Sequence, residues 1–398
     1  MKYTITATIP LMLLFLSCAD WPSSTRKSPE EVDWDVSYPV WVSDSRIAAL
    51  VQPNIAYEGA YIYEFDALTG ENLVCLTEKD SLAKINLVVS RDRTKLAYGA
   101  ADAGRIFSAQ QLFVFDRVTG KVSQVTQGGH QEHPEFSPDG SMLIYDSGYR
   151  TAPPQNGGEI GAGKVAKVHI QNIDGTGRRP IDPSLLWGDK DGHFLADGKH
   201  IVLRTGRTSH LTATKRNSEV YLTDIVGSTW TNLSIEDYGT SFPRPSVDGK
   251  QLLYYSPAGF EYPGDDPRDD PPGLKLLDLE AVMNGTNNNN PLPYKALRFP
   301  YNWTDLVWSP DGKWIAFRSP KSDSDDRIQV FIIHPDGSQF KQLTTDEHCQ
   351  SISWSPDSKR IAFWSYSVKD NMLARRITVI DIPSGAIHYL PLKLSFKK

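Results

Sequence analysis

The feature that most constrains this fold is a Ser-Pro-Asp-Gly turn set between apolar residues, which is clearest at residues 309–312. Proline at the second position presets φ, and glycine at the fourth tolerates the exit from a type I turn. Apolar and aromatic residues on both sides predict a β-hairpin. The turn aspartate recurs along the whole chain, as Asp44, Asp92, Asp139, Asp197, Asp248, Asp311 and Asp357.

Each repeat also has a second half. A β-rich run ends in Asp and a turn, as at residues 61–66 and 111–116, and a short last strand follows. Four short strands at a period of about 40 to 50 residues are typical of a propeller blade. We therefore predict an all-β fold, a seven-bladed β-propeller of four-stranded blades over residues 33–398. Blade four fits least well because its turn lacks Ser-Pro.

Composition excludes one class of partner. The net charge is −6 and the pI is about 5.9. Nucleic-acid phosphates require clustered Lys and Arg, and the basic runs here are only pairs, such as Arg178-Arg179. We expect a monomer that does not bind nucleic acid.

The N-terminus predicts export. Lys2 precedes an apolar run at residues 5–16, and no later stretch approaches the roughly 20 apolar residues that span a bilayer. The residues before Cys18 resemble a bacterial lipoprotein box, which would make Cys18 the lipidated residue; an ordinary signal-peptidase site is the alternative. We predict a signal peptide at 1–18, a flexible tether at 19–32, and a protein of the periplasm or cell surface that is lipid-anchored to the membrane.

Three features leave alternatives open. Cys75 and Cys349 fall in the first and last repeats, which are adjacent in a closed ring, so they form either a disulfide or two separate buried thiols. Residues 31–36 are either an extra strand that closes the ring or a linker. The acidic insert at 256–273 is either a solvated loop or a Ca²⁺ ligand.

The repeats resemble the TolB-type propeller repeat, whose consensus is close to P-x-W-S-P-D-G-x-x-I-A-F. Residues 308–317 and 354–363 match it almost letter for letter. The resemblance covers residues 35–395 and implies the propeller fold, without the N-terminal α/β domain of TolB. It is weak for function, because such propellers also precede prolyl oligopeptidase catalytic domains and occur in oligogalacturonate lyase.

A candidate site lies six positions before each turn aspartate, where the innermost strands should meet at one mouth of the central channel. A polar ring with two aromatic residues suits hydrogen bonding to a peptide or a sugar, and an aromatic ring can anchor a partner. The alternative is that loop ends are generally polar. The ring consists of Tyr38, Asn86, His133, Asp191, Phe242, Asp305 and Ser351, with Gln350 beside the last.

A metal site is the competing interpretation. By resemblance to oligogalacturonate lyase, His and Gln side chains would hold a divalent metal, and the candidates are His130, His133, His193 and His348 with Gln350. The sequence offers no catalytic triad or phosphate loop. We therefore predict a protein-binding or scaffolding module of the bacterial cell envelope, without a cofactor and not an enzyme, whose mouth binds an envelope protein or glycan. A metal-dependent polysaccharide lyase or other glycan-active enzyme is the alternative.

Overall fold

The computed structural model describes residues 34–53, 59–77, 80–102, 109–148, 166–183, 188–206, 219–234, 241–256, 273–284, 289–291, 305–322, 325–345, 348–369 and 372–392. Residues 34–398 form one compact unit. The predicted signal peptide, the tether, Cys18 and most of the acidic insert lie outside the described residues. Among the described residues, no helix has the length and apolar character needed to cross a membrane.

The described residues form seven antiparallel sheets of four strands each. Blades 1 to 3 contain β1 (Trp34–Ser43), β2 (Arg46–Pro53), β3 (Tyr61–Asp66), β4 (Val74–Cys75); β5 (Leu82–Val89), β6 (Lys95–Asp102), β7 (Gln111–Asp116), β8 (Val122–Gln124); and β9 (His130–Phe136), β10 (Met142–Gly148), β11 (Lys167–Asn172), β12 (Arg179–Pro180). Blades 4 and 5 contain β13 (Asp189–Phe194), β14 (His200–Thr205), β15 (Glu219–Asp224), β16 (Trp230–Asn232); and β17 (Ser241–Pro245), β18 (Gln251–Ser256), β19 (Gly273–Asp278), helix α1 (Leu279–Met283), β20 (Asn289–Pro291). Blades 6 and 7 contain β21 (Val307–Trp308), β22 (Ile315–Ser322), β23 (Asp325–Ile333), β24 (Lys341–Gln342); and β25 (His348–Trp354), β26 (Arg360–Lys369), β27 (Met372–Asp381), β28 (Ile387–Leu390).

Buried apolar clusters join the sheets into a ring. Each cluster takes its members from two neighbouring blades, and one of them packs Trp41 and Ile47 of blade 1 against Ala362 and Ile377 of blade 7. Since blade 7 also packs on blade 6, the ring is closed. The predicted all-β, seven-bladed propeller is confirmed.

Side-chain chemistry explains why the turn motif recurs. Ser309 is fully buried; its hydroxyl donates to Asp311 Oδ1 at 2.7 Å and accepts from the N–H of Trp314 at 2.9 Å. The same pair of bonds forms at Ser90, Ser137, Ser246 and Ser355. At the first of these, the hydrogen bond from the serine lowers the pKa of Asp92 to about 2. The motif therefore closes the turn and satisfies a buried hydroxyl.

Tryptophan in the repeat connects neighbouring blades. Trp41 donates its indole N–H to the carbonyl of Ser353 at 3.1 Å, which ties blade 1 to blade 7. Trp308 and Trp354 make the equivalent bond to the preceding blade. Trp34 to Val36 pair with β2 inside blade 1, so for this part of residues 31–36 both alternatives, the extra ring-closing strand and the linker, are wrong. Cys75 and Cys349 are both free, so they form no disulfide; Cys349 is buried as expected of a separate thiol, whereas Cys75 is exposed.

Trp41→Phe should lower the free energy of unfolding by about 1 to 2 kcal/mol, because it removes a buried donor but keeps most of the apolar contact. Urea denaturation followed by circular dichroism measures this change. The control is Trp314→Phe, at a half-buried indole that packs on the His334 ring instead. Equal losses in the two variants would show that the bond to Ser353 contributes nothing to closure.

Candidate functional site

The ring residues predicted from the repeat occupy equivalent backbone positions. Six of the seven have a left-handed backbone: Tyr38 (φ 50°), Asn86 (56°), His133 (52°), Asp191 (53°), Phe242 (56°) and Ser351 (54°). Each of the six lies at a β-bulge in the innermost strand of its blade. Asp305 holds the same place just before β21. An L-residue in this conformation costs roughly 1 to 2 kcal/mol, so packing must hold these residues in place.

The long connections of the chain join the strands at the same end of the propeller. Antiparallel pairing places the start of each innermost strand beside the connection from the second to the third strand. The connections at 149–165, 207–218 and 257–272 belong to the adjacent blades 3, 4 and 5 and lie outside the described residues. Binding residues often lie on the connections at one end of a rigid scaffold.

A second set of residues, which the sequence analysis missed, holds four members of the ring. Each lies 13 residues after its ring partner, on the second strand of the same blade, because the hairpin between them has a constant length. That spacing is visible in the sequence and is the signal that would have found them. The pairs are His133 Nδ1 to Asp146 Oδ2 (3.3 Å), Asp191 Oδ2 to Arg204 Nε (3.2 Å), Asp305 Oδ2 to Arg318 Nε (2.9 Å), and Trp364 Nε1 donating to Ser351 Oγ (3.3 Å).

His133 and Asp146 differ sharply in exposure. The carboxyl of Asp146 is 7% exposed, whereas the imidazole of His133 is 63% exposed. The hydrogen bond to Asp146 raises the pKa of His133, and burial raises the pKa of Asp146. The buried carboxyl therefore fixes Nδ1 of the imidazole and leaves the Nε2 edge toward solvent.

Arg318 organises the opposite side of the ring. Besides pairing with Asp305, this buried guanidinium donates to the carbonyl of Cys349 at 3.1 Å and to Oε1 of Gln350 at 2.5 Å. Burial, with the nearby Asp305 charge, raises the pKa of Tyr38 to about 12. Tyr38 therefore keeps its hydroxyl proton at neutral pH, and Gln350 is held by Arg318.

Two residues beyond the ring, the innermost strands carry charged or imidazole side chains in blades 3 to 5 and apolar or small side chains in the other blades. In blades 3 to 5 this position holds Glu135, His193 and Arg244, and His193 contacts both neighbours through its two ring nitrogens. In the other blades it holds Val40, Val88, Val307 and Ser353. These three side chains connect blades 3, 4 and 5. Blades 4 and 5 have Phe194 and Pro245 at the repeat position that holds tryptophan in blades 1, 6 and 7.

Two of the histidines considered as metal ligands, His130 and His193, have both ring nitrogens engaged within the protein. His130 Nδ1 accepts from the N–H of Gln110 at 3.2 Å, so Nε2–H donates to Glu132 at 2.5 Å. That bond lowers the pKa of Glu132. Both nitrogens of His193 are engaged, and His348 stacks on the Tyr366 ring at 4.9 Å. Across the described part of the chain, no three His, Cys, Asp or Glu side chains are arranged to hold an ion.

Comparison with known proteins shows the fold and no closer relationship. No protein-family model and no curated protein matches the chain. Oligogalacturonate lyase in complex with manganese is similar over 92% of both chains, at 15% identity and a TM-score of 0.60. A prolyl endopeptidase is similar over 92% of this chain, at 13% identity and a TM-score of 0.62; TolB from Acinetobacter baumannii is similar over 75%, at 16% and 0.49. The chain spans 51% of the endopeptidase and 63% of that TolB. The predicted seven-bladed propeller is thus confirmed as a fold, and TolB is among the solved structures that are similar to the chain, as the repeat predicted.

Proposed function

We propose that this protein is an exported propeller that binds a partner protein of the cell envelope at the ring, and that a lipid on Cys18 holds it at the membrane. The observation that carries the proposal is the ring itself. Six equivalent residues adopt a costly backbone conformation, and three of them, together with Asp305, are held by a side chain of the next strand. Side chains fixed before binding lose little entropy when a partner arrives.

The composition of the ring favours a protein surface over a small molecule. Tyr38 and Phe242 are half-buried aromatic residues that pack on inter-blade clusters, and the remaining members are polar. Aromatic anchors surrounded by polar groups are typical of interface hot spots. A cavity of about 330 Å³ lies elsewhere, between blades 7 and 1, where Val36, Tyr389 and Leu392 line it.

The anchor rests on the N-terminal sequence alone. Lys2, the apolar run at 5–16 and Cys18 supply the parts of a lipoprotein signal, and the polar residues 19–32 would separate the propeller from the membrane. Fractionation of cells that express Cys18→Ala tests this part. Membrane association that persists in the variant would contradict it.

Photo-crosslinking in intact cells tests the ring. A benzoylphenylalanine at Phe242 or at Asn86 should give a discrete adduct with one envelope protein, because both positions lie in the ring. The control is the same label at Val118, which is 77% exposed in a turn at the other end of the propeller. No adduct at the ring, or the same adducts at Val118, would overturn the proposal. Metal content and uronate cleavage, compared with His133→Ala, test the lyase alternative on the same protein.

A further inference from the structure

We propose that the sector of the ring in blades 2 to 4 binds a carboxylate of a peptide partner, through Asn86, His133 and Lys190. The inference rests on the proposed function, because it assumes that a protein binds at the ring. It adds the chemical group that this sector recognises. The argument depends on which polar groups of the sector are already engaged.

The described carboxylates that surround His133 already have partners within the protein. Asp146 contacts Nδ1 of His133, and Asp191 pairs with Arg204. Glu132 accepts from His130, whose other nitrogen is fixed by a backbone N–H. The carboxylates around His133 are therefore satisfied inside the protein, and a ligand gains little there by bringing further donors.

The groups that remain are hydrogen-bond donors or can act as donors. Lys190 is exposed, and its ammonium makes no hydrogen bond or ion pair with the described residues. His133 uses only Nδ1 and leaves Nε2 available. Asn86 in blade 2 is half-exposed, and its side chain makes no hydrogen bond with the described residues. An ammonium, an imidazole Nε2–H and an amide N–H on adjacent blades match a group that is anionic and accepts through two oxygens.

A carboxylate fits this requirement, and a peptide supplies one either at its C-terminus or on an Asp or Glu side chain. The charged groups that act on His133 are Asp146 and Glu132 of its own blade and Asp191 of the next, and Lys190 of that next blade acts on Asp146 and Glu132. Because Asp146 raises the pKa of His133, acidification through that pKa adds a positive charge at Nε2. Binding of an anion should therefore strengthen as the pH falls from 8 to 6, while the ligand carboxylate stays ionised.

Nuclear magnetic resonance of the full-length protein with ¹³C-labelled histidine tests this inference. The probes are acetyl-Gly-Gly-Gly with a free C-terminus, its C-terminal amide, and acetyl-Gly-Asp-Gly amide. The His133 signal, assigned with His133→Gln, should shift saturably with the free acid and not with the amide. Lys190→Gln should weaken binding about fivefold. The matched control is Lys199→Gln, an exposed lysine in the turn at the other end of blade 4, which should leave binding unchanged.

The probes separate the two sources of carboxylate. A response to the free acid alone supports recognition of a C-terminus, and an equal response to the Asp peptide supports recognition of any peptide carboxylate. Equal responses to acid and amide, no response, or a pH dependence that survives in His133→Gln would overturn the inference. Crosslinks at Phe242 together with no response to acid would refute only this inference and leave the partner-binding proposal standing.

Discussion

Gly227→Ala is expected to lower the free energy of unfolding by about 2 to 4 kcal/mol. Gly227 lies in the turn after β15 with φ +77°, and a Cβ there would lie 2.2 Å from the backbone carbonyl oxygen of Ile181 in blade 3. A backbone oxygen cannot rotate away as a flexible side chain does, so one of the two blades must shift. The left-handed conformation adds about 1 to 2 kcal/mol for any residue with a Cβ.

Gly120→Ala separates the two causes. Gly120 occupies the corresponding turn of blade 2 with φ +72°, and nothing lies within 4 Å of the Cβ position. Gly120→Ala should therefore lower the free energy of unfolding only by the cost of the left-handed conformation, about 1 kcal/mol. Urea unfolding of both variants gives the difference, which measures how firmly this turn docks between blades 3 and 4. Losses of equal size would mean that the turn does not constrain that seam.

The fold was predictable from the sequence because the hydrogen bonds that define each hairpin form between residues of the same turn. Ser309 and Asp311 act within one turn, and the same residues at the same spacing form the same hydrogen bonds in five blades. Blade 4 shows that the hairpin still forms when the serine is absent. Leu195 replaces the serine, yet the hairpin forms because the N–H of Lys199 still bonds to Asp197 at 2.8 Å.

The ring was predictable for a similar reason, and its surroundings were not. A bulge at a fixed distance from the turn brings residues such as Asn86 and His133 to equivalent positions, so counting back from the aspartate finds them. Their binding role stays a prediction. The positions 13 residues later can be counted in the same way, but the bonds that they make cannot be predicted, because the residue type at this position differs from blade to blade.

Contacts between blades could not be predicted from the sequence, because their partners are far apart along the chain. His193 pairs with Glu135 across 58 residues of chain, and the Trp41 indole reaches Ser353 across 312. The resemblance to oligogalacturonate lyase suggested His193 as a metal ligand, and the sequence does not reveal such competing partners. The geometry gives the nitrogens of His193 to a carboxylate and a guanidinium instead.

Lys167→Met is expected to lower the free energy of unfolding by about 3 to 5 kcal/mol at neutral pH. Lys167 and Asp189 are both buried between blades 3 and 4, with Nζ 3.0 Å from Oδ2, and Asp182 lies 4.0 Å from the same ammonium. Methionine keeps the volume but leaves the buried carboxylate of Asp189 without the cation that pairs with it. The control is Lys313→Met, which breaks a surface pair with Asp311 and should cost at most about 1 kcal/mol.

The pH dependence of the Lys167→Met loss distinguishes an unpaired charge from poor packing. Burial already raises the pKa of Asp189 above its usual value, and loss of the lysine removes a charge that lowers it. A carboxyl whose pKa is higher in the folded state stabilises the fold below its unfolded pKa, and that stabilisation is lost as the pH rises through the folded pKa. The variant should therefore approach wild-type stability near pH 4 and fall furthest behind at pH 7 to 8. Adding Asp189→Leu should recover part of the loss at neutral pH, because it removes the carboxylate that Lys167 compensates. A deficit that is the same at every pH, or no recovery in the double variant, would place the cost in packing rather than in charge.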